Sequence, residues 1–199
     1  MKWLELREKL NKLALPIFSL KEGLRILAAP YDSGKNQLSR WANKGYLIRL
    51  KNGLYAIADI TLRGHISEYL IANTLYQPSY VSLEAALSYY GIIPELVYNL
   101  TSITPKPTRR FMVGNAIYIY RTLKPRCFTG YVVAESDNVR FRIAELEKTL
   151  VDYYYFSLVD KTPISDRLLI PSLNQKKLLR YGSLFDNQKL IEMIKQDLC

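Results

Sequence analysis

The chain has 199 residues, of which 49% are hydrophobic and 23% are charged. These values are typical of a globular protein with one domain or two small ones, and they exclude an intrinsically disordered chain. Lysine and arginine number 28 against 18 aspartate and glutamate residues, and the net charge of +10 favours a polyanionic partner such as nucleic acid.

The N-terminal segment predicts two helices. Apolar residues recur at helical spacing from Trp3 to Leu13, ahead of a proline, which predicts a first helix. The segment Ser19-Leu20-Lys21-Glu22 matches a capping box, in which the serine hydroxyl and the glutamate carboxylate each accept a backbone N–H of the other residue. We therefore expect a second helix over Leu20–Ala28.

The stretch from Lys35 to Gly45 predicts a third helix with an unusual polar face, with Asp32 or Ser33 as its N-cap. The polar side carries amides, hydroxyls and cations but no carboxylate, and its members are Asn36, Gln37, Ser39, Arg40, Asn43 and Lys44. Asparagine and glutamine can read adenine, arginine can read guanine, and lysine and serine suit phosphates. The pattern indicates a helix that binds DNA.

Two β-type runs follow this helix and flank Lys51-Asn52-Gly53. Asn-Gly between such runs is the strongest short signal for a hairpin. Three helices followed at once by a basic hairpin predict a winged helix-turn-helix, with the third helix in the major groove and the hairpin on phosphates or the minor groove. The predicted DNA-binding residues are Lys35, Asn36, Gln37, Ser39, Arg40, Asn43, Lys44, Arg49, Lys51 and Asn52.

The remainder of the chain predicts further helices and a sheet. Helices are expected over residues 65–76, 82–91 and 144–156 and near 174–181 and 187–197, and strands over 97–104, 109–112, 116–120, 131–134 and 139–143. Ser82 should cap its helix and Gly91 should end it, and Lys148 and Asp152, four residues apart, should form a weak surface ion pair. The predicted fold class is α+β: a winged helix-turn-helix domain over residues 1–58, then a mixed α/β domain with an antiparallel-rich sheet over residues 59–199.

A second basic block lies within the predicted sheet. No acidic residue occurs from position 96 to position 134, and we expect the basic residues there to form one positive surface: Lys106, Arg109, Arg110 and Arg121. The segment that carries the first three of these residues contains two prolines and should be exposed, because proline is excluded from the middle of a sheet. Its candidate partners are flanking operator DNA, a toxin or an RNA. Alternatively, acids such as Glu135, Asp137 or Glu145 pair with these cations across the fold.

Three segments of the chain resemble the AbiEi-type antitoxins of the AbiE (abortive phage infection, type IV) toxin–antitoxin systems, and the resemblance covers nearly the whole chain. The first runs from Leu38-Ser39-Arg40-Trp41 through Lys51-Asn52-Gly53-Leu54-Tyr55; the second is Tyr80-Val81-Ser82-Leu83-Glu84-Ala85-Ala86-Leu87-Ser88-Tyr89-Tyr90-Gly91; the third is Ile143-Ala144-Glu145-Leu146-Glu147-Lys148-Thr149-Leu150-Val151-Asp152. In the third segment the family usually has a proline directly before Glu-Lys, where this chain has Leu146.

The resemblance implies a division of labour between the two domains. The winged helix would bind inverted repeats in the protein's own promoter as a repressor, and the C-terminal domain would oppose a nucleotidyltransferase-type toxin. Within the family that opposition ranges from action without a stable complex to direct contact or modification of the toxin, and the sequence does not choose among these.

Two other function classes compete with this interpretation. One is a stand-alone transcriptional regulator whose C-terminal domain senses a ligand or dimerises. The other is an enzyme using Glu84, Glu147 and Asp152 with Lys148, but acids in the first turn of a helix have an ordinary structural role, so we expect no enzymatic activity.

The composition also bears on cofactors and location. Two cysteines and one histidine exclude a disulfide framework, a cysteine-rich zinc site and His–His metal motifs, and we expect no metal or cofactor. No apolar run approaches the roughly 18 residues of a membrane span, and the N-terminus mixes acids and bases unlike a signal peptide. We therefore expect a cytoplasmic protein with no membrane partner.

Overall fold

The computed structural model describes residues 2–58, 67–94, 99–136 and 139–198. Within them the helices are α1 (Trp3–Lys12), α2 (Leu20–Leu27), α3 (Tyr31–Asn43), α4 (Glu68–Leu75), α5 (Leu83–Tyr89), α6 (Leu146–Asp160), α7 (Gln175–Ser183) and α8 (Gln188–Leu198). The strands are β1 (Ile17–Ser19), β2 (Leu47–Lys51), β3 (Leu54–Ile57), β4 (Tyr80–Val81), β5 (Asn99–Thr104), β6 (Arg109–Val113), β7 (Ala116–Thr122), β8 (Tyr131–Ser136) and β9 (Val139–Ala144). The architecture is mixed α+β, as predicted.

Helices α1 to α3 pack against a three-stranded antiparallel sheet of order β1-β3-β2. The predicted capping box is confirmed, because the Glu22 amide donates to the Ser19 hydroxyl at 3.2 Å and the Ser19 amide donates to the Glu22 carboxylate at 2.6 Å. Leu38 and Trp41 of α3 lie in the core of this part, next to Phe18 of β1. The side of α3 opposite the predicted polar face is therefore the side that is buried.

The start of α3 differs from the prediction. The helix begins at Tyr31 with Pro30 as N-cap, and neither Asp32 nor Ser33 caps it. Proline suits a helix start because its missing N–H would lack an intrahelical partner there. The Ser33 hydroxyl instead donates to the Pro30 carbonyl at 3.2 Å.

Strands β2 and β3 form the predicted hairpin around Asn52 and Gly53, in which Gly53 takes a positive φ of 75°. The tip of this hairpin is anchored to the start of α2, because the Leu20 amide donates to the Gly53 carbonyl at 2.8 Å. Strand β1 extends the same sheet beside β3. The turn of the hairpin is thus held against the start of α2.

The second sheet has six strands in the order β6-β7-β5-β4-β9-β8. Three of its pairings are antiparallel and two, β5–β7 and β4–β9, are parallel. All five predicted strands are present, although residues 97 and 98 at the start of the first lie outside the described residues. The short strands β1 and β4 were not predicted, since two or three residues are too few for a periodicity signal.

Hydrophobic clusters cover both faces of the six-stranded sheet. One cluster joins it to α6, α7 and α8 and includes Tyr80 and Ile103. The other joins the opposite face to α4, and it also includes Leu50, Leu54 and Ala56 from the β2–β3 hairpin. The hairpin therefore shares a hydrophobic cluster with the larger sheet. The proposed domain boundary near residue 58 stays a prediction.

Gly91 ends helix α5 as predicted, but the side chain of Ser82 does not cap it. Gly91 adopts a positive φ of 67° after α5, and the amides of Gly91 and Ile92 donate to the carbonyls of Ser88 and Leu87, which is a Schellman ending. Ser82 precedes α5, but its side chain does not cap the helix. The helix predicted from His65 corresponds to α4, which begins at Glu68 with Ser67 as its N-cap, and His65 itself lies outside the described residues.

Candidate nucleic-acid interface

The polar face of α3 is exposed on the surface. Lys35, Asn36, Arg40, Asn43 and Lys44 are exposed, and Gln37 and Ser39 at its flanks are half-buried. Its buried face holds Leu38 and Trp41, so the helix must present the opposite face to solvent. The residues predicted to read DNA therefore share one accessible surface.

Arg49 of β2 lies directly beside this helix. Its guanidinium group donates to the Ser39 hydroxyl at 3.0 Å and lies 5.8 Å from the centre of the Tyr55 ring. This contact joins strand β2 to α3 and fixes the position of one cation next to the polar face. The structure adds one acid to that face, because α3 starts at Tyr31 and so includes Asp32 in its first turn. The hairpin thus extends the basic surface of the helix at Arg49.

Lys51 has a different position from the one expected of a flexible lysine at a hairpin tip. It is half-buried, and its ammonium group donates to the Leu75 carbonyl at the end of α4. It also lies 5.9 Å from the centre of the Phe111 ring of β6. Burial, and then repulsion from Lys106 and Arg109, lowers the pKa of Lys51. Lys51 therefore belongs to the junction of the hairpin with the larger sheet, whereas Asn52 is exposed at the turn.

The second basic block does not form the single surface that we predicted. Arg109 pairs with Tyr120 across the β6–β7 ladder, and Arg110 pairs with Ile119. Directly opposed residues share a face while neighbours on one strand alternate, so Arg109 and Arg110 lie on opposite faces of the sheet. Lys106 and Arg109 lie on the α4 face, where both contact the Tyr76 ring, at 5.5 and 5.7 Å from its centre.

Arg121 is separated from this group as well. Both terminal nitrogens of its guanidinium donate to Asp160 at 2.8 Å, and the group stacks 4.2 Å from the centre of the Phe156 ring. Its charge is therefore neutralised by an acid of α6. The hydrogen bond from Arg121 holds the pKa of Asp160 below its usual value.

The acids that we considered as partners of the basic block have other contacts. Glu135 accepts from Arg140 at 3.0 Å, and Glu145 accepts from Lys177 at 2.8 Å and from the Tyr181 hydroxyl at 2.9 Å. Asp137 lies outside the described residues. Among the described residues no ion pair involves Lys51, Lys106 or Arg109.

Lys148 and Asp152 are fully buried, so the prediction of a surface ion pair is wrong. Their side chains have 0% exposure and form an ion pair inside the protein. Asp152 also accepts from the hydroxyls of Ser82, at 2.9 Å, and Tyr80, at 3.1 Å. This contact explains why Ser82 does not cap α5. Burial raises the pKa of Asp152, although Lys148 and the two hydroxyl groups act in the opposite direction.

This buried cluster connects two of the three segments that carry the family resemblance. Tyr80 and Ser82 belong to the second segment, and Lys148 and Asp152 belong to the third. Strands β4 and β9 also pair in parallel at Val81 and Ile143. The two segments therefore meet in the core, and their residue types have a structural reason to occur together.

The carboxylates considered for catalysis do not gather in one accessible site. Glu84 lines a cleft of about 370 Å³ between α5, β5, β7 and α6, together with Thr101, Arg121 and Asp160. Glu147 accepts from the backbone N–H of Asn174 at 3.1 Å. Lys148 and Asp152 do not line this cleft.

Sequence reasoning missed the aromatic residues of the basic surfaces. Tyr76 and Phe111 lie among Lys51, Lys106 and Arg109, and Tyr76 also contacts Tyr120. The alternation along β6 could have placed Phe111 on the face of Arg109. No local signal connects either residue with Lys51, which is far away in sequence.

No protein-family model matches the chain, and a search of curated proteins finds none that is significantly similar. Across the described ranges, no helix combines the length and apolar character needed to cross a membrane. The same residues hold no group of three or more histidine, cysteine, aspartate or glutamate side chains placed to bind a metal ion.

Proposed function

We propose that the N-terminal part is a winged helix-turn-helix that binds DNA, with α3 as the recognition helix and the β2–β3 hairpin as the wing. The observation that carries the proposal is the exposed polar face of α3, which carries no acid from Lys35 to Asn43 and lies next to Arg49. The element order α1-β1-α2-α3-β2-β3 and the sheet order β1-β3-β2 support it. Arg40, Asn36 and Asn43 are the residues proposed to meet base edges.

The test is a titration of the promoter fragment upstream of the gene against a scrambled fragment of equal length. Arg40→Ala should reduce the preference for the promoter by about 1–3 kcal/mol, because a bidentate contact to guanine contributes that much discrimination. Arg140→Ala is the matched control, since it removes an exposed arginine of β9 that pairs with Glu135. An unchanged preference in Arg40→Ala would leave that residue, at most, a phosphate contact.

We propose further that the protein is an AbiE-type antitoxin that represses its own operon and opposes a nucleotidyltransferase-type toxin. The support is the resemblance in the three segments, two of which meet at the Lys148–Asp152 cluster. The function proposed here is binding rather than catalysis. A nucleotidyltransferase-like reading frame directly downstream of the gene would favour the antitoxin. Co-expression with the neighbouring gene, scored by growth, tests the proposal: rescue supports an antitoxin, and absence of rescue by folded protein contradicts it.

The second candidate function is a stand-alone regulator with a ligand-sensing C-terminal part. The cleft that contains Glu84 and Thr101 favours it, because its volume lies within the usual range of small-molecule sites. A ligand that shifts operator affinity without any toxin gene present would support this alternative. A filling substitution at the cleft wall, Ile119→Phe, should then abolish the response.

A further inference from the structure

Basic residues from both predicted basic blocks lie in or beside the cleft between the β2–β3 hairpin and the larger sheet. Its lining includes Lys51 of β2, Tyr76 after α4 and Lys106 after β5. Arg109 of the edge strand β6 lies against the same Tyr76 ring. Lys51 and Lys106, which are more than fifty positions apart in sequence, thus line one cleft.

Among the described residues, no carboxylate forms an ion pair with the three cations. The side-chain nitrogens of Lys106 and Arg109 have no hydrogen bond or ion pair there, and Lys51 uses one of its three donors on the Leu75 carbonyl. Glu22 also lines the cleft, and the hydrogen bonds that its carboxylate accepts from the amide and hydroxyl of Ser19 lower the pKa of Glu22 and keep it charged. One carboxylate therefore stands against three cations. The group therefore keeps a surplus of positive charge and several unused donors.

We propose that Lys51, Lys106 and Arg109, arranged around Tyr76, bind a phosphate group. A phosphate offers several acceptor oxygens, which match the remaining ammonium and guanidinium donors, and it would relieve the repulsion among the three cations. The aromatic rings of Tyr76 and Phe111 restrict the positions of these cations. The site does not depend on α3 binding DNA, because its phosphate can come from a DNA backbone or from a free polyphosphate.

The first arm of the test measures thermal stability of the full chain with inorganic tripolyphosphate against sodium chloride at equal ionic strength. Tripolyphosphate should raise the melting temperature of the unmodified protein and of Arg110→Ala, because Arg110 lies on the opposite face of the same strand. The combined change Lys106→Ala with Arg109→Ala should abolish the increase. Both replaced side chains are exposed, so the variant should fold.

The second arm measures the salt dependence of binding to a short random-sequence duplex. If the phosphate comes from DNA, the slope of log affinity against log salt should fall by about one for each replaced cation that neutralises a DNA phosphate, and Arg110→Ala should leave it unchanged. An effect in the first arm alone assigns the site to free polyphosphate, and an effect in the second arm assigns it to DNA. The proposal is overturned if the double variant matches Arg110→Ala in both arms.

The Arg40→Ala variant distinguishes a failure of the phosphate site from a failure of the proposed DNA-binding function. Arg40→Ala should retain the tripolyphosphate effect, because α3 is not part of the cleft. Loss of promoter preference in Arg40→Ala together with an unaffected double variant would support the recognition helix and overturn the phosphate site. The reverse combination would support the phosphate site alone.

Discussion

Replacement of Lys148 by methionine should be among the most destabilising single changes in this protein. The substitution keeps the length of the side chain but removes the charge that faces Asp152. Both members of the pair have 0% exposed side chains, so water cannot take the place of the ammonium group. Asp152 would then keep only the hydroxyls of Ser82 and Tyr80 as donors.

The expected cost is about 3–5 kcal/mol, which is typical when one partner of a buried ion pair is removed. For a chain of this size, each kcal/mol corresponds to about 2–4 °C, so the melting temperature should fall by about 6–20 °C. The assay is urea unfolding followed by circular dichroism, with thermal melts in parallel. A second variant, Lys148→Met with Asp152→Asn, should regain most of the loss, because the neutral amide still accepts from both hydroxyls.

The matched control is Lys177→Met. Lys177 also pairs with a carboxylate, Glu145, that accepts from a tyrosine hydroxyl, but its side chain is 41% exposed. Exposed pairs contribute about 0–1 kcal/mol because solvent screens them. If Lys148→Met costs no more than Lys177→Met, the reasoning about the buried charge is refuted.

Local structure supports three more predictions. Ser19→Ala removes the capping box of α2 and should cost about 0.5–2 kcal/mol in urea unfolding, and a cost near zero would contradict the role of the cap. Gly130→Ala should destabilise by more than about 1 kcal/mol, because Gly130 has a φ of 75° and a Cβ there would lie 2.8 Å from the Tyr181 ring; unchanged stability would show that this ring can move. The folded pKa of Asp160 is depressed by Arg121, so its stabilisation is present above the unfolded pKa of about 4 and is lost as pH falls through the lower folded value. Asp160→Asn should remove this part of the pH dependence of the free energy of unfolding. The change should be less than about 1 kcal/mol, because the pair is partly exposed. If the pH profile of the variant matches that of the unmodified protein, the acid sensitivity belongs to other groups.

The sequence by itself determined the local features of the fold. The capping box at Ser19 and Glu22, the left-handed residue Gly91 and the buried face of α3 all depend on residues within one or two turns of each other. Such signals are set by backbone geometry and by hydrophobic periodicity, which can be recognised along a single segment. The polar face of α3 from Lys35 to Asn43, the central part of the candidate site, belongs to this class.

The tertiary structure alone decided which charges are buried and which of them share a surface. Lys148 and Asp152 have the spacing of an exposed helical pair, and only contacts with Ser82 and Tyr80, about seventy residues away in sequence, show that they are in the core. Lys51 likewise joins the second basic block through α4 and β6 rather than through its own hairpin. Burial and electrostatic partners depend on long-range packing, which local propensity does not encode, and this is why the periodic pattern predicted the elements but not the environment of these charges.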